Sequence, residues 1–283
     1  SFPTRRSSDL PTPALILDRA ILRRNLERMS ERMRRAGVML RPHVKTAKSI
    51  EIGRMAVAGH DGRITVSTLA EARYFAKGGF TDILYGVGVV PSKLTAISEL
   101  RRQGVNLRVV TDNLTVARAI ADAAREGNTF SVLIEIDSGA GRAGLPFPEL
   151  PGLLDIAGVL HQAPGVELAG VMTHAGHSYH ESTPDGIAAV AEVERRSIVD
   201  AADRLRAAGI PLGVLSLRPL LLRPREAGWD VRRLERPRRR LSRRVLGRGP
   251  RREHQGWRDQ RRRRHPALTA RSAIQRRLHA SSS

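Results

Sequence analysis

The chain has 283 residues, no cysteine and a formal net charge of +21. Without thiols there is no disulfide framework or thiolate metal site, and no apolar run approaches the roughly 18 residues of a membrane-spanning helix. The charge suggests a nucleic-acid partner until its distribution is examined: residues 218–283 hold 22 Arg and five acids, 22 − 5 = +17, leaving +4 for residues 1–217.

The opening segment Ser1 to Leu10, SFPTRRSSDL, is polar and lacks an apolar stretch, so no secretory signal is expected in it. Residues 1–11 are expected to be a non-native or disordered leader. From Ala14 onward, short β-rich apolar runs alternate with helix-period stretches. The expected strands are Ala14 to Leu17, Val38 to Arg41, Ile64 to Ser67, Ile83 to Tyr85, Leu107 to Val110, Val132 to Asp137, Leu168 to Thr173 and Leu212 to Leu217. Helices are expected at Arg19 to Arg35, Leu69 to Lys77, Leu114 to Arg125 and Ile187 to Ala208.

This alternation implies parallel βαβ units and an α/β fold, a (β/α)8 TIM-type barrel. Seven barrel strands follow the first, and an eighth is missing, so the barrel is expected to be incomplete at its C-terminal end. The punctuation agrees. Asp112 and Asn113 are candidate caps for the helix from Leu114, Pro91-Ser92 opens another helix, and Gly78-Gly79 closes the helix before Ile83.

Residues 218–283 differ from the rest. One residue in three is arginine, without apolar periodicity, so this tail is expected to be disordered. The abrupt shift in composition at Ser216 to Pro219 reads as an out-of-frame translation of a GC-rich gene, with a native basic tail as the alternative. Electrostatic contact of such a tail with nucleic acid is expected to be sequence-independent and salt-sensitive. No specific nucleic-acid partner and no membrane partner are assigned.

Three expected strand ends carry polar residues suited to chemistry. Lys45, in Arg41-Pro42-His43-Val44-Lys45-Thr46, follows the strand at Val38. A lysine there faces the barrel mouth, and burial makes its amine able to form an imine with a carbonyl. Such lysines are more often solvated or ion-paired, so its companions decide. Glu135 to Gly144, EIDSGAGRAG, runs a strand into a glycine-rich loop in which Arg142 presents a planar cationic fork. Arg142 either pairs with a phenolate or carboxylate ligand or bridges Glu135 or Asp137 structurally. Gly170 to His180, GVMTHAGHSYH, places His174 at a strand end and His177, Tyr179 and His180 on the loop beyond. The histidine spacing fits no standard zinc motif, and no metal ligand is assigned.

Together, PHVKT, TVSTLAEARYFAKGGFTDILYG, EIDSGAGRAG and GVMTHAGHSY resemble, in this order, the fold-type III pyridoxal-phosphate enzymes, the alanine racemase-like barrels. The D-threonine aldolase and D-serine dehydratase-like branch is the most similar. The resemblance spans residues 12–217. It implies pyridoxal 5′-phosphate as cofactor, with Lys45 as the imine-forming catalytic lysine, Arg142 near the phenolic oxygen, His174 against the pyridine ring and Tyr179 near the cofactor. At position 172, where an aromatic residue is expected, the chain has Met172.

The resemblance further implies a cytoplasmic, homodimeric lyase of D-β-hydroxy amino acids. A racemase of the same fold and a non-catalytic cofactor-binding protein are the alternatives. Two features of the branch are missing from this chain. A divalent metal is expected on a C-terminal His with a Cys or Asp two residues later, and His254, His265 and His279 lack such a partner. The phosphate-gripping loop is expected after Ser216, where the chain reads Leu217-Arg218-Pro219-Leu220. The C-terminal β-domain is replaced by the arginine-rich tail, so impaired activity is expected.

Overall fold

A computed structural model describes residues 16–216. The leader, the start of the first expected strand and the arginine-rich tail lie outside the described residues. Ile16 and Leu17 form no strand and lead directly into a helix. Asp18 caps that helix, its Oδ1 accepting the amides of Ala20 at 2.8 Å and Ile21 at 2.9 Å.

The helices are α1 (Arg19–Ala36), α2 (Ile50–Ala56), α3 (Leu69–Lys77), α4 (Leu94–Arg102), α5 (Leu114–Arg125), α6 (Leu153–Gln162) and α7 (Pro184–Ala207). The strands are β1 (Ile64–Val66), β2 (Asp82–Gly88), β3 (Asn106–Thr111), β4 (Phe130–Asp137), β5 (Leu145–Pro146), β6 (Val166–Thr173) and β7 (Val214–Ser216). Helices α3 and α5 fall where periodicity places them. Their caps follow the residue chemistry: Thr68 Oγ1 accepts the Glu71 amide, and Asn113 Oδ1 accepts that of Val116. Helices α2 and α6 were not among the expected elements. The first is only seven residues long, and the second starts at Gly152 without a side-chain cap.

All pairings are parallel, in the order β1-β2-β3-β4-β6-β7, with the short β5 beside β4. This six-strand path with flanking helices is an incomplete TIM-type barrel. The strand expected at Val38 to Arg41 is reduced to an isolated bridge between His43 and Thr65. Thr65 donates to the Pro42 carbonyl at 2.9 Å and accepts from Val44 at 3.0 Å. The pairing goes no further because Pro42 has no N–H and β1 is three residues long.

Residues alternate between the two faces of each strand. Ile83, Tyr85, Leu107, Val109, Val132, Ile134, Ile136 and Val171 pack outward against the helices, in the main core. Leu84, Val110, Leu133, Ala169 and Met172 form a smaller cluster on the inner face, with Val214 against it. Met172 therefore fills the barrel interior where an aromatic ring was expected. Gly170 lets β7 approach, because a Cβ there would lie 1.8 Å from the Val214 carbonyl oxygen. A sheet parallel throughout gathers every strand's carboxyl end on one rim, where such barrels keep their chemistry.

Candidate active site

The loop after β4 is the most highly constructed part of that rim. Asp137 ends the strand and holds three successive amides: its Oδ1 accepts from Gly139 at 2.9 Å and Ala140 at 2.7 Å, and its Oδ2 from Gly141 at 2.9 Å. The far end is fastened by Asp112, whose Oδ2 accepts the Gly144 amide at 2.7 Å. Between these anchors, Arg142 is exposed. The loop is tied to the next strand by Thr173, which donates to Ser138 Oγ at 3.1 Å within buried surroundings.

Gly144 fits only as glycine. Its φ is +102°, and a Cβ would stand 2.5 Å from the Asp137 amide nitrogen and 2.6 Å from the Ile136 carbonyl carbon. The chain turns back so tightly there that Leu145 pairs with Ile136.

Beneath the loop, the Glu135 side chain is buried, with 5 % of the residue exposed. Burial pushes its carboxyl above the usual glutamate range, and Asp112 and Asp137 add to that; the Arg142 guanidinium opposes them. Arg142 thus acts electrostatically on Glu135, and among the described residues no ion pair within 4.0 Å joins it to Glu135 or Asp137.

His174 follows β6 and is half-buried, its ring edge turned toward Gly176. A 3-10 turn, Gly176–His180, comes next. It seats His177 against Gly139: a Cβ on that glycine would meet the imidazole Cε1 and Nε2 at 3.7 and 3.8 Å. Burial holds His177 below the usual histidine range, while Asp137 and Glu181 oppose this. Tyr179, on the same turn, is 70 % exposed.

Lys45 lies in the turn after the edge segment, level with the end of β1, and is exposed. Its amide donates to His43 Nδ1 at 3.4 Å, and His43 Nε2 lies 3.3 Å from Ser67 Oγ. Burial holds the His43 imidazole low, and the Lys45 charge lowers it further. Glu71 organises this corner. Its Oε2 accepts the Ser67 amide at 2.8 Å and its Oε1 pairs with Lys48 at 3.3 Å. The fold thus brings the Arg142 loop together with His177 and the strand bearing His174. Lys45 stands at the open edge of the sheet, on the same rim but at its other end.

Asp112, Glu71 and Ser138 are contributors that sequence reading did not assign to the site. Asp112 was one of two candidate caps for α5. Only one side chain caps a helix start, so the cap made by Asn113 leaves Asp112 free to hold Gly144. Among the described residues, no three His, Cys, Asp or Glu are grouped so as to hold a metal ion, and no helix is long and apolar enough to cross a membrane.

An incomplete parallel barrel of this strand order defines a class of fold, and the comparisons agree with it. Residues 17–218 match the family model "Alanine racemase, N-terminal domain", and the chain belongs to that family. It is 46 % identical over 209 residues to the D-threo-3-hydroxyaspartate dehydratase of Delftia sp., covering 74 % of this chain and 55 % of that protein. The solved structure of that dehydratase superposes with a TM-score of 0.71, and a mutant of it is described in a metal-free form. The D-serine dehydratase of Dictyostelium discoideum is 32 % identical over 223 residues, covering 74 % of this chain and 56 % of that one. The crystal structure of D-threonine aldolase from Filomicrobium marinum superposes with a TM-score of 0.67 at 29 % identity, covering 74 % of this chain and 56 % of that one. The chain spans about half the length of these relatives.

Proposed function

We propose that this chain carries the cofactor-binding half-barrel of a pyridoxal-phosphate lyase acting on D-β-hydroxy amino acids, of the dehydratase or aldolase type. The observation supporting this reading is the parallel sheet, whose carboxyl ends bear the Asp137-anchored Arg142 loop and His174, with Lys45 in the turn beyond the His43–Thr65 bridge at its edge. Relatives that this chain matches are named as dehydratases and aldolases of D-serine, D-threonine and 3-hydroxy-D-aspartate.

The chemistry of these groups fits the ring half of the cofactor. Lys45 offers a primary amine at an open rim, and Arg142 offers a cation on a loop whose ends are fixed by two carboxylates. Pyridoxal phosphate, when bound, supplies an electron sink for charge developing at the substrate Cα. Lys45 is assigned the covalent attachment and, once released, the α-proton, held at Nζ. Arg142 would orient the ring through its phenolic oxygen, with His174 against the ring face and Tyr179 closing from the outer turn. The phosphate-binding half falls after Ser216, outside the described residues. There Leu217-Arg218-Pro219-Leu220 stands in place of the expected loop, so weak retention of cofactor and impaired turnover are part of this proposal. Metal assistance to the departing β-hydroxyl is assigned to the part of the relatives that this chain does not span.

The test is reductive trapping. After incubation with pyridoxal phosphate and borohydride, peptide mass spectrometry should place the pyridoxyl group on Lys45, and Lys45→Ala should lose it. Equal labelling of the variant would overturn the assignment. If turnover is measurable, a keto acid and ammonia mark a dehydratase, glycine and an aldehyde an aldolase, and the L-enantiomer alone a racemase.

A further inference from the structure

The pole of the barrel opposite the candidate site carries an unexplained concentration of arginine. Asp82, at the start of β2, is the centre of it. Its Oδ1 accepts from Arg41 Nη2 and from Arg108 Nη1, each at 2.7 Å, and its Oδ2 lies 3.7 Å from Arg63 Nε. Arg63 also reaches Asp61 at 3.4 Å, but that carboxylate is 60 % exposed and counts for little inside the barrel. The Arg41, Arg108 and Asp82 side chains are only 13–20 % exposed. One shielded carboxylate therefore faces three guanidinium groups.

A second observation marks where the excess charge is unmet. Arg108 Nε is buried and has no hydrogen-bond partner, and neither has Ser131 Oγ. These residues are register partners on adjacent strands, and Ser131 is wholly buried. Both face the barrel interior, as Val110 and Leu133 do two residues further on. Adjacent strands lie roughly 4.8 Å apart, so two such donors can meet on one atom. Buried polar groups are rarely left unsatisfied, and here both can donate beside guanidinium groups that outnumber the shielded carboxylate, while Glu167, the register partner of Ser131 on β6, is exposed.

We propose that the amino-terminal floor of the barrel binds a small monoanion, held by Arg108 Nε–H and Ser131 Oγ–H. Chloride is the probe, and a small oxyanion that takes the Nε edge of the same guanidinium competes with it. Arg108 has committed Nη1 to Asp82, and Arg41 gives Nη1 to the Ile64 and Asp82 carbonyls and Nη2 to the Asp82 carboxylate. Arg108 keeps its Nε–H, and Ser131 its hydroxyl, for the anion. That anion neutralises the floor and couples the stability of β2, β3 and β4 to chloride.

The arginines of residues 218–283 also attract anions, so the experiment compares variants of the full chain. Thermal unfolding is followed in sodium chloride and in sodium gluconate at equal ionic strength, and chloride-35 NMR line broadening is measured alongside. Chloride should raise the wild-type melting temperature saturably above gluconate. Ser131→Ala, which removes one donor without adding bulk, should lose that increment and the matching part of the broadening. Arg108→Lys, which can still pair with Asp82, should lose it too. The same chloride response in wild type and Ser131→Ala would overturn the site by assigning the effect to surface arginines. Equal stability of the wild type in both salts would overturn it in favour of water. Should both variants fail to fold, bromide anomalous diffraction from the wild type decides, by a peak or its absence between Arg108 and Ser131.

Discussion

Asp112, the first residue after β3, accepts the amide of Gly144 at 2.7 Å, although Gly144 belongs to the loop that leaves the neighbouring strand. One carboxylate thereby fixes the end of the segment on which Arg142 rides. Asp112→Ala should leave that amide without its charged acceptor, at a cost of about 1–3 kcal/mol. Hydrogen exchange should then accelerate in residues 138–144 before the strands themselves are affected, and unchanged protection of that loop would show that Asp137 suffices.

Gly144→Ala should be far more damaging than a change in an exposed loop usually is. The added methyl meets backbone, not a mobile side chain, and φ is +102°. Relief requires β5 to separate from β4. We expect either insoluble protein or a loss above about 3 kcal/mol by urea denaturation, beyond the roughly 1 kcal/mol that such a φ costs alone.

The buried Glu135 gives stability a pH dependence of unusual sign. Its carboxyl is pushed above the ordinary value of 4.5, chiefly by burial and then by Asp112 and Asp137. The folded state therefore holds a proton that the unfolded chain has released, and stability falls as pH rises from the ordinary glutamate value through the folded one. Glu135→Gln should remove that decline. Melting temperatures of the two proteins from pH 4 to 7 should diverge with the variant higher at the upper end.

Asp82 behaves in the opposite direction. Burial raises its carboxyl pKa, but Arg41 and Arg108 override burial and hold it below the ordinary value of 3.8. Its contribution is present above that value and is lost as pH falls through the folded one. Asp82→Ala should cost about 3–5 kcal/mol at neutral pH, because it leaves shielded guanidinium groups unpaired. Chemical denaturation of both proteins measures it, and a cost under about 1 kcal/mol would mean solvent already screens the cluster.

The sequence by itself determined the alternation of strands and helices and the incomplete parallel barrel, because period and capping are local properties. Helices α3 and α5 and the strands from Ile64 onward are legible in apolar spacing and in Thr68 and Asn113. The placement of Arg142 and His174 beyond β4 and β6 is legible because the residues after a strand in a parallel fold lie on one rim, whereas Lys45 follows no strand and lies in a turn. Tertiary structure decided what depends on partners distant in sequence. Pairing reduced the strand at Val38 to one bridge at His43, since Pro42 offers no donor and β1 is short. Packing turned Met172 into the barrel interior and released Asp112 from capping to hold Gly144. It also set Asp82 among three arginines contributed by three separate segments. Such relationships depend on distances across the sheet, and spacing along a chain carries no record of them.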